Sequence, residues 1–459
     1  MKIVEKDIKI LYFSFVVMLF SILVAKLFHT AVFLEGIMVI LLLVCSVNRN
    51  THTVIYFVMC TVFQNVILVL MSSGISSRET TTIIILKESL VYICAIVFFL
   101  KNKIYDFKLQ EVLCVIFVIV SIFNLVRAQS INLGVTALRQ ITIIVTCYYF
   151  GCSLKNVKLE KIFSFIVLIS VIVGIIGIGL FFLNDEQWIQ MGYADYWNNK
   201  TGAVTKYSFT NFYTYDLGVR LKRLVSTFVD PLACSHFIGI GFLVVFIADN
   251  KNSYILKILI TIFLLMGITK SSVVLIVSTI LILNYSKINL RYLRYLFLIT
   301  CIIFGLVAIN ILSIKVSSLS QSTSISNHFN AFIYGLTNAT LLGNGLGTTG
   351  YNALIMGLEN YDSNYNESFF ALSIAQIGIV GVITIYGFLF ICIKHNYKLY
   401  RITNNKYILV ILILSIDLFL ESFFSASSIS MLGTGLYCVL NGISYSFYKE
   451  EVRRCELEL

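Results

Sequence analysis

Long apolar runs alternate with short polar ones along almost the whole chain. Runs long enough to cross the ~30 Å of bilayer hydrocarbon as helices fall at about residues 10–27, 31–47, 53–71, 81–100, 110–126, 132–152, 162–183, 231–248, 254–269, 271–286, 295–313, 368–393, 407–424 and 430–448. Hydrocarbon satisfies no backbone N–H or C=O, so a spanning segment is a helix or part of a closed barrel. These runs are continuous rather than alternating, which predicts helices. Only Thr269 to Ser271 divide the ninth run from the tenth, so the pattern predicts about 12–14 crossings in one integral membrane domain over residues 1–459. The first run lacks a small-residue cleavage site and a second follows at once, so it reads as a retained helix.

Two polar connections break the rhythm, at residues 184–230 and 314–367; the others are short. The first holds both tryptophans, Trp188 and Trp197, the aromatics Tyr207, Phe209, Phe212, Tyr213 and Tyr215, and the basic cluster Arg220, Lys222 and Arg223, and it ends at the only proline, Pro231. A polar, basic segment among membrane helices is costly unless it has a task there. Its aromatics read as an interfacial belt or as flat rings that stack on sugar faces; they extend too far along the chain for a belt alone. In the second connection Phe329, Phe332, Ile333 and Leu336 recur at helical spacing and predict an amphipathic interfacial helix headed by His328. Gly345, Gly347 and Gly350 spell GxGxxG, but no strand precedes them, so the segment reads as a flexible turn and not a dinucleotide site.

Composition agrees with the pattern. Of 459 residues 58% are hydrophobic and 12% charged, which excludes a soluble globule, whose charged fraction is near a quarter. The net charge of +11 reflects topology. With the N terminus in the cytoplasm, most of the 34 Lys and Arg gather on that side, among them Lys101, Lys103 and Lys108, Lys155, Lys158 and Lys161, and Lys394, Lys398, Arg401 and Lys406, as the positive-inside rule requires. Both termini are then cytoplasmic and both long connections lie outside. No basic patch sits on a soluble domain, so no nucleic-acid partner is expected. The eleven cysteines fall in spans or at Cys455, so the exported segments need no disulfide. The Asn-x-Ser/Thr triplets at Asn199, Asn338 and Asn366 matter only where a secretory pathway glycosylates.

Ionisable residues inside the runs mark a polar interior: Glu35, Lys87, Glu88, Arg139, Asp417 and Glu421. Asp417 and Glu421 stand four apart, on one helical stripe. Pairing of Lys87 or Arg139 with one of these acids is the expectation, and His236 reads as a core residue.

Four blocks give the chain a likeness. RLVSTFVDPLA (223–233), LMGITKSSVVLIVS (265–278), HFNAFIYGLTNATLLGNGLGTTGYN (328–352) and NESFFALSIAQIGIVG (366–381) resemble, in order and in placement, the blocks of the O-antigen ligase and Wzy-type polysaccharide polymerase superfamily. The likeness covers about residues 160–395. It implies a bacterial inner-membrane glycosyltransferase that uses polyprenyl-diphosphate-linked oligosaccharide as donor at the outer face, without metal or other cofactor. Implied partners are a second lipid-linked unit as acceptor, the bilayer, a chain-length regulator and a flippase that delivers the units. Arg223, followed by Thr227, Phe228, Asp230 and Pro231, matches the family arginine that binds the lipid diphosphate. Lys270 stands where the family often has a Ser-Arg pair, and a Lys offers a point charge in place of a bidentate fork. His328 stands where an arginine is common. Glu367 occupies the place of the histidine that ligases carry, which favours a polymerase over a ligase.

The chemistry supplies its own reasons for these residue types. As an acceptor hydroxyl attacks the anomeric carbon, negative charge builds on the departing diphosphate, and fixed cations at a water-poor mouth stabilise it. A carboxylate takes the hydroxyl proton; Glu367 is the expected base. Arg223 and Arg220, with Lys270, Arg139 and Arg127, are the expected diphosphate contacts, and Trp188, Trp197 and His328 the expected contacts to glycan or phosphate. Each has a structural alternative: the arginines as snorkelling interface charges, Glu367 as an acid at a helix N terminus. No HExxH-like spacing points to a metal. A polysaccharide flippase with charged spans is the rival from another class.

Overall fold

The computed structural model describes residues 4–101, 108–201, 209–214, 220–248, 254–285, 324–350, 368–423, 425–426 and 429–457. The protein is an all-α polytopic bundle. The helices are α1 (Val4–Phe28), α2 (Val32–Asn48), α3 (Thr51–Met71), α4 (Ser77–Lys101), α5 (Leu109–Val126), α6 (Ile131–Ser153), α7 (Leu159–Phe181), α8 (Asp185–Gln190), α9 (Tyr193–Thr201), α10 (Pro231–Ile247), α11 (Tyr254–Met266), α12 (Lys270–Tyr285), α13 (Ser324–Thr337), α14 (Phe369–Thr403), α15 (Lys406–Glu421) and α16 (Gly435–Leu457). Among the described residues, six segments are long and apolar enough to cross a membrane, and the shorter apolar helices Phe15–Phe28, Val32–Asn48, Pro231–Ile247 and Tyr254–Met266 accompany them. The outer faces are greasy: Val47, Val126 and Ile255 are exposed, as side chains solvated by lipid are.

Local chemistry sets the ends. Asn50 caps α3 by accepting from the amides of His52 and Thr53, and Thr53 answers the Asn50 amide, a reciprocal box that satisfies otherwise orphaned donors. Asp230 caps α10 with Pro231 at the first turn, where a missing N–H costs nothing. Ser368 and Asn405 cap α14 and α15. The expected ninth and tenth runs are separate helices, joined at Gly267–Thr269 with Ile268 in the left-handed region (φ 45°). The run at 295–313 lies outside the described residues.

The centre of the bundle is α6, packed against α4, α5 and α16, with α14 and α15 closing the side around α16. The α6–α16 crossing depends on glycine. A Cβ on Gly442 would collide with the Tyr148 carbonyl, and one on Gly151 with that of Val439, so small residues let the two backbones meet.

The glycine-rich segment after α13 differs from the flexible turn expected of it. Helix α14 is broken at Gly378 (φ 70°, ψ −175°), and the segment fills the break. The amides of Ile379 and Val380 donate to the carbonyls of Thr340 and Leu341, while Asn344 and Gly345 donate to those of Ala375 and Gln376. Gln376 Nε2 adds a bond to the Thr349 carbonyl (2.9 Å), and the Leu346 amide reaches the Asn124 carbonyl. Irregular backbone among apolar helices survives where protein satisfies it, and here two irregular stretches satisfy each other. The segment is a bonded plug.

Candidate functional site: a basic recess under an aromatic cap

The connection between α7 and α10 folds into a cap. Asn184 opens α8 with a capping box to Gln187, and α9 follows directly. Trp188 is fully buried, edge-on to Phe212 (5.1 Å between centroids) and Tyr193 (6.2 Å), and Phe209 stacks on Tyr193. These rings share a core with Leu68, Val69, Met71 and Val225, so the aromatic run seats the cap on the end of α3. This corrects the expectation for Trp188, which has no free face for a sugar. Trp197 is half-buried against Tyr193. The cap is also latched by polar bonds: Asn199 Nδ2 donates to the Ile75 carbonyl (3.0 Å), Ser77 Oγ to the Asn199 carbonyl (2.5 Å) and Ser72 Oγ to the Gly192 carbonyl (2.6 Å).

Beneath it lies a charged recess. Arg139 stands eight residues into α6, about 12 Å from its start at 1.5 Å per residue, yet its side chain is 41% exposed and its Nε lies 3.3 Å from Glu88 Oε2 on α4. The neighbouring Lys87 is buried. Lys200, at the end of α9, is exposed to water yet enclosed enough for desolvation to oppose its charge. The charges of Arg139 and Asp230 both act on Lys200, and Lys200 in turn acts on Lys87. The Tyr196 ring, 5.5 Å below the ammonium, contributes most to holding the Lys200 amine above its ordinary value, with Asp230 adding to it. Three cations from three helices therefore lie within electrostatic reach of one another and of two carboxylates, and Asp230 already spends an oxygen on the Ala233 amide (2.8 Å). The recess carries a surplus positive charge.

The basic cluster of residues 220–223 is placed differently. Strand β1 (Tyr213–Thr214) pairs antiparallel with β2 (Leu221–Lys222). Arg220 bonds Asp185 Oδ2 at 3.1 Å and lies 3.7 Å over the Tyr213 ring, while the Tyr213 hydroxyl donates to Asp185 Oδ1 (2.6 Å). Lys222 Nζ donates to the Leu183 carbonyl; partial burial pulls its amine below the ordinary lysine value, and Asp185 opposes that. Arg220 and Lys222 thus anchor the hairpin to the end of α7. Arg223 is half-buried, with its amide on the Phe212 carbonyl (2.8 Å) and Nη2 on the Tyr213 carbonyl (2.7 Å).

The other expected residues are scattered. Arg127 donates through Nη1 to the Gly343 carbonyl (2.9 Å) and so belongs to the plug. Lys270 is the first residue of α12, between Thr269 and Ser272, whose hydroxyls bond each other (2.7 Å), and His328 is in the first turns of α13; both side chains lie outside the described residues, as does Glu367 altogether. The expected pairing of Lys87 or Arg139 with Asp417 or Glu421 is not what forms. Arg139 takes Glu88, and Glu421 takes His236, Nε2 to Oε2 2.7 Å. His236 is buried in the core as expected, and there it is hydrogen-bonded to Glu421. Lys200 was missed from sequence; its signal is Tyr196 four residues earlier in YADYWNNK, which places ring and ammonium on one helical face. Among the described residues no three His, Cys, Asp or Glu side chains are disposed to hold a metal ion. No family model matches the chain, and no curated protein is similar to it.

Proposed function

We propose that the protein is a membrane polysaccharide polymerase that joins polyprenyl-diphosphate-linked oligosaccharide units at the outer face of a bacterial cell membrane. The observation that carries this reading is the grouping of Lys87, Arg139 and Lys200, from α4, α6 and the cap, near enough that Arg139 acts on Lys200 and Lys200 on Lys87, with more cations than carboxylates among the neighbours named. The diphosphate of the donor binds there, and Arg223 of the adjoining connection adds to its hold. The acceptor hydroxyl oxygen attacks the anomeric carbon, the bond from that carbon to the diphosphate oxygen breaks, and the diphosphate leaves with the electron pair. The hydroxyl proton passes to the base that the family likeness implies, Glu367. Cations fixed before the reaction stabilise the departing charge without reorganisation, and loss of one such group typically costs ~10²–10³ in rate. In this reading the termini are cytoplasmic and the cap faces outward.

Cells lacking the chromosomal copy and carrying Lys200→Ala or Arg139→Ala test this. Glycan of single-unit length on the surface, at normal protein level, is the expected result; wild-type chain length from both removes the recess from the reaction. Lipid-linked polymer left untransferred indicates a ligase instead, and units stranded on the cytoplasmic leaflet a flippase.

A further inference from the structure

The deepest charged cluster has no part in the reading above. His236 of α10, in a described position one turn and a half inside Asp230, has both ring nitrogens engaged: Nδ1 lies 2.6 Å from the Leu232 carbonyl and Nε2 2.7 Å from Glu421 Oε2. A carbonyl only accepts, so Nδ1 carries hydrogen, the tautomer following from its partner. The contact between Nε2 and Oε2 then needs one proton between them, as imidazolium with carboxylate or as imidazole with carboxylic acid. In either form the pair is electrically neutral. One turn back on α15 stands Asp417, fully buried, and neither of its carboxyl oxygens has a hydrogen-bond partner.

The groups acting on Asp417 are Glu421 on its own helix and His236 from α10, while the Tyr437 phenol of α16 feels both acids and donates to the His236 carbonyl (3.2 Å). Helices α7, α12 and α14 also pack on α15. None of their described charged groups acts on Asp417; Lys270 begins α12, with its side chain outside the described residues. The single imidazole is already committed to Glu421, so an ionised Asp417 would be a bare carboxylate among apolar helices, a state that burial makes prohibitive.

We propose that His236, Glu421 and Asp417 form a proton-binding site inside the bundle, in which Asp417 holds an exchangeable proton beside the one shared by His236 and Glu421. A separate polar group lies on the same helices. Ser415 Oγ donates to Asn441 Oδ1, and Asn396 Nδ2 donates to Ser415 Oγ (2.8 Å). Ser415 and Asn441 border a small cavity that Tyr148, Cys392 and Cys438 also line. Further along α16 the Tyr445 hydroxyl donates to Glu111 Oε1 (3.0 Å), which also pairs with Lys449 (3.3 Å). Exchange moves only H⁺: a proton leaves the Asp417 carboxyl and the carboxylate left behind takes one up again, so no other reactant enters.

Infrared spectroscopy of the full chain in lipid nanodiscs tests this. The wild type at neutral pH is expected to show a protonated-carboxyl C=O band that shifts with isotope-labelled aspartate and in heavy water, and that Asp417→Asn removes. A labelled wild type with no such aspartate band, or the same band persisting in Asp417→Asn, overturns the site. Loss of the band on adding sodium at constant pH also overturns it, because the site would then hold a metal cation. Should Asp417→Asn fail to fold, the labelled wild type alone decides. The readout is independent of glycan synthesis, so this site and the polymerase reading stand or fall separately.

Discussion

Two groups of charges sit in this bundle under opposite conditions. In the recess under the cap the Arg139 side chain is 41% exposed, whereas the His236 and Glu421 side chains are 1% and 4% exposed. Water that reaches the recess shares the cost of its charges, so three cations coexist with two acids and the surplus is available to a ligand. No water shares that cost around His236, so that cluster has to be neutral within itself, and its chemistry is restricted to moving protons. Solvent access, more than the number of charges, separates a place that binds an anion from a place that stores a proton.

The largest effect that this contrast predicts comes from breaking the sealed pair. Glu421→Ala or His236→Ala leaves its partner buried without a counterpart, and removal of one member of a buried pair costs about 3–5 kcal/mol. Thermal denaturation of the detergent-solubilised protein is expected to show a large fall in transition temperature for either variant. The double variant should cost less than the sum of the two, since the contact couples them. A pair of mild, additive losses would show that water reaches the cluster and would dissolve the distinction drawn above.

Next in size is the plug. Gly343 has φ 80°, and a Cβ there would collide with the backbone of Gln376. Gly343→Ala therefore combines left-handed strain of roughly 1–3 kcal/mol with loss of the bonds that bridge the break at Gly378. Hydrogen exchange is expected to quicken at Ile379 and Val380, whose amides depend on Thr340 and Leu341, while the amides of α10 around His236 keep their protection. Exchange that quickens in both regions together would mean that plug and proton site open as one unit.

What the sequence revealed and what it hid divide along the same physical line. Helix limits are local: a run of apolar residues, Asp230 before Pro231, or Asn50 three residues before Thr53 fixes them without reference to the rest of the chain, and the expected spans agree with α2–α7, α10 and α12 within a few residues at most ends. Pairings between helices are not local. Asp417 and Glu421 were recognisable as acids on one stripe, but the partner of Glu421 is His236, 185 residues away, and nothing in a single sequence says that α10 and α15 are neighbours. Arg139 found Glu88 for the same reason, because α4 packs on α6. The first connection misled in another way: its aromatics look the same whether they face a sugar or one another, and Trp188 turned inward because α3 offers it an apolar seat. The GxGxxG spacing read as a flexible turn; Gly345, Gly347 and Gly350 do adopt positive φ, but nothing in the spacing says that a broken helix needed those carbonyls and amides.

The smaller effects separate cations within the wet region. Arg139→Ala takes the partner from Glu88, whose side chain is 11% exposed, but the Arg139 side of the pair is 41% exposed and water there screens it, so the stability lost should fall below that of the sealed pair.

Arg220→Ala is the mildest variant and the sharpest control. Its ion pair with Asp185 is open to water, the two side chains being 50% and 34% exposed, and exposed pairs contribute about 0–1 kcal/mol. The guanidinium also covers the Tyr213 ring, an exposed contact worth about 0.5–1 kcal/mol. Asp185 keeps the Tyr213 hydroxyl when Arg220 is gone, so the hairpin should stay seated. Thermal denaturation is expected to show a small shift, and cells carrying Arg220→Ala should make glycan of wild-type length while Lys200→Ala does not. Both residues are basic, and both belong to the connection between α7 and α10. If the two variants shorten the glycan equally, general attraction of the connection for anionic lipid accounts for the effect, and the recess has no special place in it. If only Lys200→Ala acts, position accounts for it: Lys200 lies within electrostatic reach of Arg139 and Lys87, whereas Arg220 is held by an acid of its own.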